Sequence, residues 1–538
     1  MSLTRRHATR LLLSAAAGAA LPAIPSGSPL LAAPAETPVR GGTLNWVFFP
    51  EPQAIIAINT TSGTGQTIGS KINEGLLRYA YDMTPLPNLA TEWAISPDGL
   101  RYRFALRRGV TWHDGRPFTA ADVAFSLLRL REAHPRGRIT FANVAEVRTP
   151  DSHSVEIVLS RPAPFLISAF AGAESPIVPR HVYEAIRPEA STSLAQTIGT
   201  GPFMLKEWVP GSHLLFERNP NYWDEGKPYL DRIVMRIITD PGARAAAFEA
   251  GEVDLGGNPV SLADLARLRA LPKLVVDTTT YAYSGPQTQL FFNLDTGVLQ
   301  DLRVRRAVAH AIDLKALLAA VYFGHGAVSP TPVSVVHPKF HDASLGSVPF
   351  DVKRAEALLD EAGHRRGPGG TRFPLRLTLN PFLEGRYGDF IRQALTRIGI
   401  AVDFQRLDLA TYLTRVYRDR AFDVTIESLS NTFDPTIGVQ RAYWSKNFKL
   451  GLPFSNAAHY ADPEVDRLLE AAAVEPDEAR RRDLFVAFQR RIRADLPSVD
   501  LIAPSGIIVA HRKVKNFAPG AGGITGNFAD LYIDPREA

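Results

Sequence analysis

The 538-residue chain contains no cysteine. That excludes disulfide staples, thiolate metal sites and a cysteine nucleophile. It also leaves no N-terminal Cys to carry a lipid, so a free rather than membrane-tethered protein is expected. No apolar run is long enough for a bilayer span, which needs about 20 residues. Basic blocks of the kind that track phosphates are missing too, which argues against nucleic acid as a partner. The formal charge of +5 owes three units to Arg5, Arg6 and Arg10, with no acid before Glu36.

Catalytic signatures are equally scarce. No Gly-x-Ser-x-Gly elbow or Ser-x-x-Lys occurs, and no His is followed by Glu. Gly63-Thr64-Gly65 lacks the third glycine of a dinucleotide loop, and Gly226-Lys227 lacks the upstream glycine of a P-loop. His337 and His341 have metal-like spacing, but Pro338 discourages the helix that would aim both at one ion. His113-Asp114 sits in a turn, and adjacency alone does not make a site. The expectation is no catalytic residues, no cofactor and no metal.

What is present reads as an exported α/β protein. At about 150 residues per domain the length allows three or four units, and 41 prolines with 40 glycines indicate many turns. Arg5, Arg6 and Arg10 precede the short apolar run Leu11 to Leu21, and Ala33-Pro34-Ala35 fits a small-x-small cleavage site. Residues 1–35 therefore read as a signal peptide. The paired arginines suggest the twin-arginine route, while Ala8 and Thr9, in place of the usual Phe and Leu, keep the general secretory route open.

Thr43 to Phe48 reads as the first strand, followed by a Gly/Thr-rich loop from Pro50 to Gly69 and a helix beginning at Ile72. Tyr102 to Leu106 alternates as a strand. Thr119 with Asp122 forms a capping-box pattern before a helix bearing Val123, Leu127 and Leu130. Gly199-Thr-Gly-Pro leads into a hairpin, Phe203 to Trp208 and Leu214 to Glu217, anchored by Tyr222-Trp223. Ile233 to Ile238 and Val155 to Leu159 are further strands, and Ala243 to Gly251 is a helix. Leu290 to Phe292 precedes a helix capped by Asp301, and a second Asp-capped helix spans Asp351 to Gly363. Leu375–Leu379, Tyr387–Ile398 and Ala401–Leu407 spell strand, helix, strand, which implies a parallel pair. Asp423 to Glu427 is a buried strand, Asp462-Pro463 starts one long helix running to Leu496, and Leu501-Ile502 and Ile507 to Ala510 are strands.

Four segments together resemble one family. They are Gly-Val-x-Trp-His-Asp-Gly-Arg-Pro-Phe-Thr-Ala-x-Asp-Val from Gly109, the stretch Gly199 to Trp223, Gly-Glu-Val-Asp-Leu from Gly251, and Phe292-Asn293 with the Asp301 helix. They resemble the periplasmic dipeptide- and oligopeptide-binding proteins, family 5 of the solute-binding proteins that feed ABC importers. The resemblance implies a two-lobed α/β periplasmic-binding-protein fold, hinged like a Venus flytrap, with an extra inserted subdomain in the first lobe. On that pattern residues 36–285 form the first lobe with the insertion at about 79–197, 286–500 form the second, and 501–538 return to the first. The implied function is capture of a peptide or peptide-like solute in the cleft, by a soluble periplasmic monomer that delivers it to an ABC permease in the inner membrane. A secreted hydrolase on the same scaffold is the alternative.

The resemblance also places the ligand site at Ser428 to Pro435, a strand end before an Asp-Pro turn. Peptide-binding members carry an aspartate three residues before that turn's acidic residue, where it meets the ligand's ammonium. This chain has Asn431 there, which accepts a hydrogen bond but carries no charge. Leu429, Ser430, Thr432 and Asp434 are candidates with it. Arg386 lies near the position of a carboxylate-binding arginine, and Trp444 is a candidate for the cleft lining. Opines, modified peptides and sugar conjugates stay open as ligands.

Overall fold

Strand Thr43–Phe48 shows how the first sheet is built. Its alternate side chains Leu44, Trp46 and Phe48 enter one core, and Val47 enters the core on the opposite face, as the two-residue period of a strand requires. The computed structural model describes residues 37–52, 55, 58, 62–186, 197–279 and 281–537. The expected signal peptide and its expected cleavage site lie outside them. Among the described residues no helix is long and apolar enough to cross a membrane.

The sheet around Thr43–Phe48 has seven strands, in the order Leu274–Asp277, Ile508–His511, Leu255–Gly257, Thr43–Phe48, Arg232–Ile237, His213–Arg218 and Phe203–Val209. The expected hairpin is therefore one edge of this sheet. A four-stranded antiparallel sheet, Ala90–Ile95, Arg101–Leu106, Ser154–Leu159 and Val144–Asp151, forms between its first and second segments with its own core around Trp112, Phe118 and Phe170. The second large sheet has five strands in the order Ile400–Arg406, Phe373–Leu379, Val424–Thr432, Ser284–Phe292 and Ser498–Asp500. Phe373–Leu379 and Ile400–Arg406 pair in parallel across helix Gly385–Arg397, the crossover their spacing implies.

The chain passes between the two large sheets twice. It leaves the first after Asp277 and joins the second at Ser284. On the way back, Ile502–Pro504 still pairs with Gly326–Val328, and Ile508–His511 is the strand that re-joins the seven-stranded sheet.

Two local expectations are corrected. Helix Gly63–Ile72 occupies what reads as a loop, and Leu77–Tyr79 is a strand, not a helix. Tertiary contacts make this helix: the Ile72 carbonyl at its end accepts the Gly201 N–H at 2.8 Å, and a Cβ on Gly199 would lie 1.9 Å from that oxygen. Only glycine lets the turn approach so closely. The long helix from Asp462 is two helices, Pro463–Val474 and Glu478–Asp495. Pro476 supplies no N–H and drives Glu475 to extended backbone, and Asp477 caps the second helix by accepting from Arg480 N–H.

His113 clamps the same glycine turn. Its Nδ1 accepts the Gly199 N–H at 3.2 Å, so Nε2 carries the proton and donates to the Gly201 carbonyl at 2.9 Å. Burial lowers its pKa to about 4. Between pH 6.5 and 4 the unfolded chain thus binds a proton that the folded chain refuses, and stability falls as the pH drops through that window. Chemical denaturation of wild type and His113→Asn at pH 7 and pH 4.5 checks this. The wild type should lose more stability than the variant on acidification.

Candidate functional site

A cavity of about 1260 Å³ lies between the two large sheets. On the first lobe's side its wall is the start of helix Gly63–Ile72 with the loops at Asn258 and Gly522–Thr525. On the second lobe's side it is Asn380 to Glu384 and the strand end Ser428 to Phe433. Both chain crossings reach it, through Tyr281 and Tyr283 and through Pro504 to Ile507. Tyr283 stacks between Tyr79 and Phe433, with ring centroids 5.5 Å from each. One aromatic on a crossing therefore touches the first lobe and the second.

Strand Val424–Thr432 presents its end to this cavity. Phe373–Leu379 pairs with it only at Val424 to Ile426, so beyond Ile426 that edge has no strand neighbour. Beneath it, buried Glu427 is held by the hydroxyls of Tyr412 and Tyr417 and by Asn380 Nδ2 at 2.7 Å. Burial raises the Glu427 pKa, and these donors oppose the rise. The carboxylate thereby fixes Asn380, which lines the cavity.

Leu429, Ser430 and Thr432 line the cavity. Thr432 Oγ1 is buried and has no hydrogen-bond partner among the described residues. Asn431 is 2% exposed and outside the lining. Its Oδ1 accepts the Ser334 N–H at 3.0 Å, and its carbonyl is bonded by His337 Nε2. Asp434 is also turned inward, capping Thr436 N–H and forming a two-pronged pair with Arg481 at 2.8 and 2.6 Å. Arg386 pairs with Glu384 at 2.6 Å on the surface beside Phe323. Trp444 donates to Glu470 at 3.0 Å and packs in the second lobe. The structure thus gathers Leu429, Ser430 and Thr432 at the cavity and places the other four candidates elsewhere.

His337 and His341 do not converge on a common point. His341 Nδ1 lies 2.8 Å from the Val333 carbonyl, while His337 turns to Asn431. Among the described residues no group of three or more His, Asp or Glu side chains is arranged to hold a metal ion.

Charged groups that sequence reasoning missed stand in the lining. Arg136 and Glu174 form a pair with Nε–Oε1 at 2.8 Å. Arg441 donates Nε to the Gly438 carbonyl at 3.1 Å and Nη2 to the Ser430 carbonyl at 3.2 Å. Burial, then the Arg136 charge, lowers its pKa to about 10, so it stays cationic at neutral pH. Neither arginine sits in a motif; only the fold brings residues 136, 174 and 441 to one cavity.

A scan of protein families matches residues 84–449 to "Bacterial extracellular solute-binding proteins, family 5 Middle". The chain is 28% identical over 474 residues to di/tripeptide-binding protein 2 of Pseudomonas aeruginosa (strain UCBPP-PA14), covering 81% of this chain and 84% of that one. In structure it is similar to the DppA periplasmic binding protein of Helicobacter pylori in complex with the peptide STSA, with TM-score 0.77, 24% identity and coverage of 92% and 98%. It is similar also to AgaA of A. tumefacien R10 in complex with agropinic acid, with TM-score 0.75, 25% identity and coverage of 92% and 99%.

The Asp434–Arg481 pair anchors the turn that ends the cavity-lining strand. Removing one charge of a buried pair strands the other, at a cost of about 3–5 kcal/mol. Asp434→Asn should lower unfolding stability by that order in urea denaturation, whereas Glu225→Gln on the exposed surface should change it by less than about 0.5 kcal/mol.

Proposed function

This chain belongs to the bacterial extracellular solute-binding proteins of family 5, the binding components of ABC importers, and on that premise we propose that its solute is a peptide or a peptide-like molecule. One observation carries the reading: a cavity of about 1260 Å³ walled by both lobes and bounded by both chain crossings. That volume exceeds the range of roughly 300–1,000 Å³ usual for small-molecule pockets, so an extended solute fits. The strand edge beyond Ile426 has no strand neighbour and, where Arg441 and Gly438 do not already engage it, offers main-chain groups to such a solute in the manner of strand addition. Leu429, Ser430 and Thr432 contact it from the second lobe.

Closure follows from the same layout. The lobes divide after strand Leu274–Asp277 and again at residues 505–507, and a solute touching both walls favours the closed arrangement by its extra contacts there. A paired-arginine leader exports the chain to the periplasm, where the monomer hands its solute to a permease in the inner membrane.

Incubation of the purified protein with a mixed peptide pool tests the reading. Native mass spectrometry should find one unchanged solute per protein and a pool otherwise intact. Progressive loss of the pool would instead identify a hydrolase.

A further inference from the structure

The cavity's charges balance in number but not in pairing, and the uneven pairing bears on the solute. Among the described residues its charged lining consists of Arg136, Glu174, Glu384 and Arg441. Glu174 is engaged through both oxygens by Arg136. Glu384 is about half exposed at the rim and pairs with Arg386 at 2.6 Å. Arg441 alone has no carboxylate within ion-pair distance among the described residues; its hydrogen bonds go to the carbonyls of Gly438 and Ser430. Glu427 beneath the same strand end forms no ion pair with it; its charge favours the Arg441 cation from a distance, and its oxygens are hydrogen-bonded by two tyrosine hydroxyls and Asn380.

A guanidinium removed from bulk water without a counter-charge is costly, and an acidic oxygen arriving there gains a charge-assisted, two-pronged contact. The unpartnered Thr432 hydroxyl stands on the same strand end, where Gly438 packs against the Thr432 backbone. A hydroxyl lining the same cavity as the arginine offers a further donor to an anion. An ammonium, by contrast, meets no carboxylate that is both buried and free. Asn431, at the sequence position implied for an ammonium-binding acid, is neutral and turned toward Ser334.

Resting on the peptide-like reading above, we propose that this cleft selects an acidic peptide-like solute, one that places a carboxylate against Arg441 and Thr432 and carries an acylated amino group or none. Arg441 is then the residue that sets specificity, and the counter-charge it lacks is supplied by the solute.

A tripeptide library prepared in four forms tests this: free, N-acetylated, C-amidated, and both acetylated and amidated. Each form is offered to the full-length mature protein, and the bound fraction is quantified by native mass spectrometry. The N-acetylated acids should be retained about ten-fold in preference to the N-acetylated amides, and acetylation itself should cost less than about three-fold. Arg441→Gln should remove most of the acid-over-amide preference, and Arg441→Lys should keep part of it. Thr432→Val, which leaves the charge in place, should weaken acid binding while retaining the preference. Amides bound as well as acids, a requirement for the free amine, or an unchanged acid-to-amide ratio in Arg441→Gln would each overturn the inference while leaving the peptide-like reading intact. Retention of none of the four forms by wild type would overturn both.

Discussion

The first-lobe wall of the cleft depends on one buried carboxylate. Glu74, 2% exposed, accepts hydrogen bonds from Tyr222 OH and Trp223 Nε1 at 2.8 Å, and from Thr200 Oγ1 and Asn527 Nδ2 at 3.1 Å. Burial raises its pKa, and these four donors pull it back. Segments more than four hundred residues apart in sequence meet on this side chain: the exit of helix Gly63–Ile72, the edge hairpin and the C-terminal loop. The start of that helix and the Gly522–Thr525 stretch of that loop are both cavity wall. Lys71, one turn before Glu74, is buried as well and donates to the carbonyls of Ile524 and Gly526, the same loop from the other side. A packed polar network of this kind fixes geometry because any misplacement leaves a buried group unsatisfied.

The second lobe uses the same device. Glu427 under the strand end and Asp434 after it are both buried acids, satisfied by tyrosines, Asn380 and Arg481. Each ties the cavity-lining strand to a helix or loop behind it. Against this background Arg441 stands out. Among the charged residues of the cavity lining it is the one without an ion-pair partner among the described residues, and it hydrogen-bonds two carbonyls, as buried Lys71 does behind the first-lobe wall. A protein that captures a solute between two walls has a use for such an unpaired group, since the solute completes it only when it is in place.

Much of the scaffold was legible because it rests on local chemistry. The Thr119–Asp122 capping box, the Asp caps at 301 and 351 and the strand-helix-strand from Phe373 to Arg406 all follow from short-range rules. Helix Gly63–Ile72 was not legible, since its glycines and threonines favour a loop until Gly199 and Gly201 close on its end. At the site, the strand end 428–432 was readable, but the direction of each side chain was not. Ser428 to Ser430 and Thr432 all line the cavity, whereas Asn431 is drawn out of the lining by its bonds to Ser334 and His337, partners far off in sequence. Arg136, Glu174 and Arg441 carry no sequence signal, because their meeting is a property of the assembled lobes.

A crystal structure of the protein with the solute it retains from its host would test the account most directly. An acidic oxygen of the solute should lie within hydrogen-bond distance of the Arg441 guanidinium, with both lobes in contact with the molecule. A solute whose ammonium lies against Glu174 or Glu384, with no acidic group near Arg441, would contradict it.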